Sequence, residues 1–164
     1  MNKVSWRFKN NEIKYIKKLL DSDLSLKVSM NERLEKLFAK IHKQKFAITS
    51  NSGTSTLHQA LYAAGVGHGD EVIIPSLTVA MCGFVIWQCG ATPVYADVNE
   101  DTFLIDPEDV EKKITNKTKA IIAVNLYGLM CNLDKLKQIS KLVQEPRKQK
   151  LGKNGNLNLI WQLL

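Results

Sequence analysis

The sequence contains no run approaching the roughly 18 consecutive apolar residues of a membrane span. Its opening stretch, MNKVSWRFKNNEIKYIKKLL, carries lysines but no apolar core and no small-residue cleavage site. No secretory signal is expected, and the expected location is cytoplasmic. Cysteine is scarce: Cys82, Cys89 and Cys131 are odd in number, form no CxxC pair and have no accompanying histidine spacing. That pattern argues against a disulfide framework or a zinc site and for buried, reduced thiols. The histidines, His42, His58 and His68, are scattered, so no metal centre is expected. Neither a GxxxxGK[ST] loop nor a GxGxxG fingerprint occurs, which removes the two commonest nucleotide-binding signatures.

Acidic residues are thin in one region only. From Lys137 onward there are six Lys or Arg and one acid, against 17 basic and 15 acidic residues before it. The net charge of +7 is therefore a property of the tail. No aromatics interleave with those lysines as single-strand binding requires, so nucleic acid is not an expected partner. A basic tail touching acidic partners remains as a minor alternative, recognisable by steep salt dependence.

Four short apolar runs are present: FAIT (46–49), EVIIP (71–75), PVYAD (93–97) and KAIIAVN (119–125). Rich in Val and Ile and bounded by turn formers, they read as buried parallel strands. Helical segments lie between them. TSTLHQALYAAG sets Leu57, Leu61 and Ala64 on one face and closes at Gly65. LTVAMCGFVIWQCG is apolar nearly all round, which suits a helix buried against a sheet or a partner chain. Asp106-Pro107-Glu108-Asp109 is a helix start, with an N-cap, a proline at N1 and acids in the first turn. Upstream, 9–20 and 30–43 read as amphipathic helices. This alternation predicts an α/β fold built from βαβ units. From about Val143 the pattern stops, and LVQEPRKQKLGKNGNLNLIWQLL shows no clear period before its last residues. A chain cut off in mid-fold is expected, with a divergent basic tail over 143–164 that has the look of an out-of-frame ending.

The stretch SNSGTSTLHQAL (50–61) places small polar residues between a strand and a helix. Two readings fit it. Serine and threonine are good N-caps, so it can be a capping turn. The unpaired amides and dipole of a helix N-terminus also favour an anion, so it can be a phosphate cradle.

Together with GVGHGDEVIIPSLTVA, GATPVYADVNEDTFLIDPEDVEKKIT and KTKAIIAVNLYGLMCNLDKL, this stretch resembles the N-terminal half of the large domain of the DegT/DnrJ/EryC1/StrS family of pyridoxal-phosphate (PLP) sugar aminotransferases. The likeness runs from roughly Asn31 to Leu142. It implies a partial three-layer α/β/α large domain of the type I aminotransferase-like fold over 1–142. It implies PLP as cofactor, with Ser52, Gly53 and Thr54 on its phosphate and Thr78 and Val79 beside it. Val79 stands where the family commonly has an aromatic that stacks on the pyridine ring. In VNLYG (124–128), Asn125 stands where histidine is common, and the motif reads equally as a strand-end turn or a ligand contact. The resemblance further implies a nucleotide-linked keto sugar and an amino-acid donor as substrates, in polysaccharide or O-antigen biosynthesis, and a homodimer. The family's acid partner for the ring nitrogen and its Schiff-base lysine have no counterpart in this sequence, so no catalytic residue is assigned and the chain is expected to be inactive alone. A non-catalytic phosphate- or nucleotide-sugar-binding remnant and a PLP-dependent sugar dehydratase are the alternatives.

Overall fold

The computed structural model describes residues 11–21 and 29–141, and the backbone of 158–163. The chain forms two compact units, residues 1–49 and 50–164. The first holds helices α1 (Glu12–Leu20) and α2 (Met30–Ile41). Ser29 caps α2, its hydroxyl accepting from the Glu32 amide at 3.1 Å. Glu35, on α2, accepts from both the amide (2.7 Å) and the hydroxyl (2.9 Å) of Thr49, which holds its carboxyl below the ordinary range.

The FAIT segment is not a strand. Among the described residues no strand pairs with 46–49, and Phe46 and Ile48 are 75% and 76% exposed. An extended β-branched run needs a neighbouring ladder to satisfy its amides, and apolar content alone does not supply one.

The second unit is a parallel sheet with helices on both faces, as expected. Strand β1 is Glu71–Pro75, β2 Thr92–Ala96, β3 Thr118–Asn125 and β4 Asn158–Leu163, in the spatial order β2-β1-β3-β4. The first three match the apolar runs of the sequence to within one residue at each end. β4 pairs with β3 in parallel register from Ala120↔Asn158 to Asn125↔Leu163, so the far edge of β3 is not bare. Residues 142–157, which hold most of the tail expected to be divergent, lie outside the described residues.

Period-2 alternation along β1 and β3 feeds two cores. Val72, Ile74, Ala120, Ile122 and Val124 face one side, under Leu57 and Leu61 of helix α3 (Gly53–Ala63) and Val85 and Ile86 of helix α4 (Met81–Gln88). Ile73, Ile121 and Ala123 face the other, with Val110 of helix α5 (Pro107–Lys113) and Leu136 of helix α6 (133–141). The direction of travel explains the division. The chain moves one way from β1 to β2 and back across the sheet from β2 to β3. Right-handed crossovers then place α4 and α5 on opposite faces.

Helix α5 starts as the sequence requires, with the Asp106 carboxylate accepting from the Glu108 amide at 2.9 Å. Asp109 on its first turn accepts from the Asp97 amide at 2.7 Å and stands 3.2 Å from the Lys113 ammonium. The amide first, and the lysine with it, hold the Asp109 carboxyl below the usual carboxylate range. A depressed folded-state pKa contributes stability above the unfolded value and loses it as pH falls through the folded one. Urea unfolding at pH 7 and at about pH 4 should therefore show a smaller acid-side loss for Asp109→Asn than for the wild type. Some loss persists in the variant, because Glu35 and Glu108 are lowered as well. An unchanged slope would remove Asp109 from the acid response. Among the described residues no helix is long and apolar enough to cross a membrane.

Candidate functional site

A parallel sheet directs all its strand carboxyl ends to one edge, and ligands of open α/β sheets bind outside that edge where neighbouring strands send their connections to opposite faces. Here that place lies between β1 and β3. They are adjacent, with Glu71↔Thr118 and Ile73↔Ile121 in register. The chain leaving β1 enters α4 on one face, and the chain leaving β3 enters α6 on the other. The two exits, 76–80 and 126–132, therefore lead to opposite faces, which makes this the switch point of the sheet.

The sequence-predicted site residues lie in the exit from β1 and at the start of α3. Thr78 and Val79 lie in the exit from β1. The Thr78 hydroxyl is 3.4 Å from the Cys82 sulfur, and Val79 is exposed. Burial pushes the Cys82 thiol up, and the side chain packs in the first core. Ser52, Gly53 and Thr54 open α3. Because α3 ends just before β1 begins, and packs on the sheet through Leu57 and Leu61, it runs antiparallel to β1. Its N-terminus therefore points back to the carboxyl edge.

The start of α3 is both a cap and an open set of donors. Ser52 has extended backbone (φ −159, ψ 160) and its hydroxyl accepts from the Ser55 amide at 3.2 Å. Its carbonyl accepts from the Thr56 amide and hydroxyl, both at 3.0 Å. The amides of Gly53 and Thr54 lie in the first turn, where the helix itself offers no acceptor. No acid occupies that turn. An anion there meets donors and the positive end of the helix dipole, worth about 0.3–1 kcal/mol on an exposed surface. The capping turn and the phosphate cradle are thus compatible readings of the same residues.

The exit from β3 carries what the sequence left open. Asn125 is buried, and its Oδ1 accepts from the Cys131 amide at 2.8 Å. The Cys131 thiol donates to the Val124 carbonyl at 3.0 Å. This position serves as an internal lock, so Asn125 itself is not presented to a ligand. Tyr127 and Gly128 follow with positive φ (54 and 83). Nothing in the letters LYG signals a left-handed tyrosine. The glycine is the one hint, since a turn that needs positive φ recruits it. Among the described residues no three His, Cys, Asp or Glu converge as metal ligands.

The sequence profile of the DegT/DnrJ/EryC1/StrS aminotransferase family matches residues 7–144. A GDP-perosamine synthase of Escherichia coli O157:H7 is 40% identical over 131 residues, spanning 79% of this chain and 36% of that protein. Among solved structures, S. venezuelae DesV in complex with a ketimine intermediate superposes with a TM-score of 0.74 at 37% identity, over 79% of this chain and 35% of DesV. E. coli GDP-4-keto-6-deoxy-D-mannose-3-dehydratase with bound hydrated PLP gives a TM-score of 0.75 at 28% identity, over 84% of this chain and 37% of that one. This chain spans about a third of the length of these relatives. By sequence and by fold, the chain belongs to the DegT/DnrJ/EryC1/StrS aminotransferase family.

Proposed function

We propose that this chain carries the phosphate-anchoring part of a PLP site of sugar-aminotransferase type. The observation that supports it most is the acid-free N-terminus of α3, whose Gly53 and Thr54 amides have no intrahelical acceptor. Those amides and the Ser52 and Thr54 hydroxyls hold the phosphate. Thr78 and Val79 lie beside the ring. When bound, PLP supplies the electron sink of transamination. The acceptor is a nucleotide-linked keto sugar and the donor an amino acid; a relative named for the synthesis of a GDP-linked compound supports the nucleotide. The reaction serves polysaccharide biosynthesis in the cytoplasm, in a homodimer. A dehydratase using the same cofactor is the second reading, favoured by the dehydratase superposition but at lower identity than the synthase.

Transamination also needs an amine to tether the cofactor and move the proton, and an acid to hold the ring nitrogen positive. No lysine or acid of this chain is assigned to either task. The chain alone is therefore expected to bind PLP without turning over.

Equilibrium dialysis of the full chain against PLP tests the reading. Inorganic phosphate should compete, and pyridoxal lacking the phosphate should bind at least about tenfold more weakly, as expected where charge-assisted donors carry the affinity. Gly53→Asp should abolish binding by opposing the phosphate with a carboxylate. It should not lower Tm, because Gly53 has helical backbone and an acid in the first turn suits the dipole. Unchanged PLP affinity in Gly53→Asp overturns the proposal. Borohydride reduction that fixes label on one lysine overturns the expectation of inactivity.

A further inference from the structure

The chain reaches α3 through a segment that no sheet holds. Residues 46–49 pair with no strand among the described residues, and Phe46 and Ile48 are largely exposed. Upstream, the Gln44 amide donates to the Ala39 carbonyl at 2.8 Å, which ties that position to the end of α2. Packing of Leu57 and Leu61 fixes the body of α3, but it does nothing for the residues ahead of Gly53. One contact fills the gap. A single oxygen of the Glu35 carboxylate accepts from both the amide (2.7 Å) and the hydroxyl (2.9 Å) of Thr49. Hydrogen bonds to an ionised acceptor are the strong ones, and two from one residue fix its orientation as well as its place.

Thr49 stands three positions before Ser52, whose hydroxyl and carbonyl cap α3. With Thr49 held, only Ser50 and Asn51 separate an anchored residue from the cap. Without it, the span lacking an anchoring hydrogen bond among the described residues runs from Lys45 to Asn51, seven residues in place of two. Each residue that must be ordered when a ligand binds subtracts from affinity. A short span therefore keeps the donors at the start of α3 ready.

We infer that Glu35 is a positioning residue for the phosphate-binding start of α3, acting through Thr49. The inference rests on the proposed reading of Ser52, Gly53 and Thr54 as the phosphate site. Glu35 does not touch the ligand; it holds the chain that leads to the donors.

The test is equilibrium dialysis of the full chain against PLP, well below the Tm of every variant, counting only binding that inorganic phosphate displaces. Glu35→Ala should bind at least about fivefold more weakly, the fold-change for ordering about one backbone residue anew on binding. Thr49→Ala keeps the amide but loses the hydroxyl, and should weaken binding by about twofold or more. Thr49→Ser keeps both donors and should restore wild-type affinity. By charge alone, removing an acid would tighten the hold on an anion, so weaker binding in Glu35→Ala is the mark of positioning. A role confined to stability would lower Tm and leave the affinity of the folded chain unchanged, and that result overturns the inference. Equal losses in Thr49→Ser and Thr49→Ala overturn it too. Should Glu35→Ala not fold, the two Thr49 variants decide by the same comparison. Binding lost in Gly53→Asp but unchanged in Glu35→Ala and Thr49→Ala removes the positioning role and leaves the phosphate site standing. A wild-type chain whose PLP binding phosphate does not displace overturns the phosphate reading and this inference with it.

Discussion

Ile121→Ala is expected to lower the unfolding free energy by about 2–5 kcal/mol, the range for truncating a fully buried aliphatic side chain. Ile121 sits at the middle of β3, is fully buried, and faces Val110 and Leu136 across the second core. β3 has a strand paired on each side, so little can move inward to fill the vacated space. Domains of this kind retain only about 5–15 kcal/mol of net stability, so the variant should lose a large share of it. Ile121→Val should cost about 0.5–1.5 kcal/mol. As a contrast, Ile48→Ala should stay within about 0.5 kcal/mol of wild type, because that side chain is already in water. Urea denaturation of the three variants gives the comparison. Equal losses at 121 and 48 would contradict the assignment of β3 as the centre of the fold.

The second large effect is polar. Asn125→Leu removes the acceptor for the Cys131 amide while keeping the number and branching of side-chain heavy atoms, and Cys131 is itself buried. An amide left unpaired away from water costs about 1–3 kcal/mol. Beyond the stability loss, hydrogen exchange should report the Cys131 amide as newly unprotected, since its one carboxamide acceptor is gone. Leucine is bulkier than asparagine at this buried position, so a cost seen in urea without the exchange change would point to packing and not to the lock. Both readouts together would establish that the β3 exit is fixed from below.

Much of this arrangement was legible in the residues. The strands β1, β2 and β3 announced themselves because Val and Ile cluster between turn formers, and buried parallel strands need little else. The start of α5 was equally plain, since Asp106 is a side chain whose chemistry is to receive first-turn amides, whereas the caps at Ser29 and Ser52 emerge only in the structure. The failures have different causes. FAIT has strand composition but no partner strand among the described residues, and composition carries no information about partners. Helix α4 is apolar on every side, so no period could tell that Cys82, Val85 and Ile86 turn inward while Phe84 and Trp87 stay exposed. The switch point was hidden for a third reason. Crossover lengths show that strands are parallel but not which way the chain travels along the sheet, and the reversal after β2 creates the switch point. Tyr127 was visible as a letter in LYG, whereas its backbone conformation follows from the lock at 125 and 131.

The same reversal governs the order in which the molecule can be built. β1 and β2 are neighbours in space and in sequence, but the other side of β1 belongs to β3, which emerges from the ribosome only after α5. At about 5–20 residues per second, the roughly thirty residues between β2 and the end of β3 take on the order of seconds to synthesise. Through that interval the nascent chain presents Val72, Ile73 and Ile74 on a strand with one ladder unfilled. A two-stranded sheet with an apolar, unpaired edge is the kind of intermediate that recruits other chains. β1, an inner strand of the finished sheet, is therefore open to wrong pairing during synthesis, and slowing aggregation at that stage, by cooling or by dilution of nascent chains, should raise the yield of folded protein.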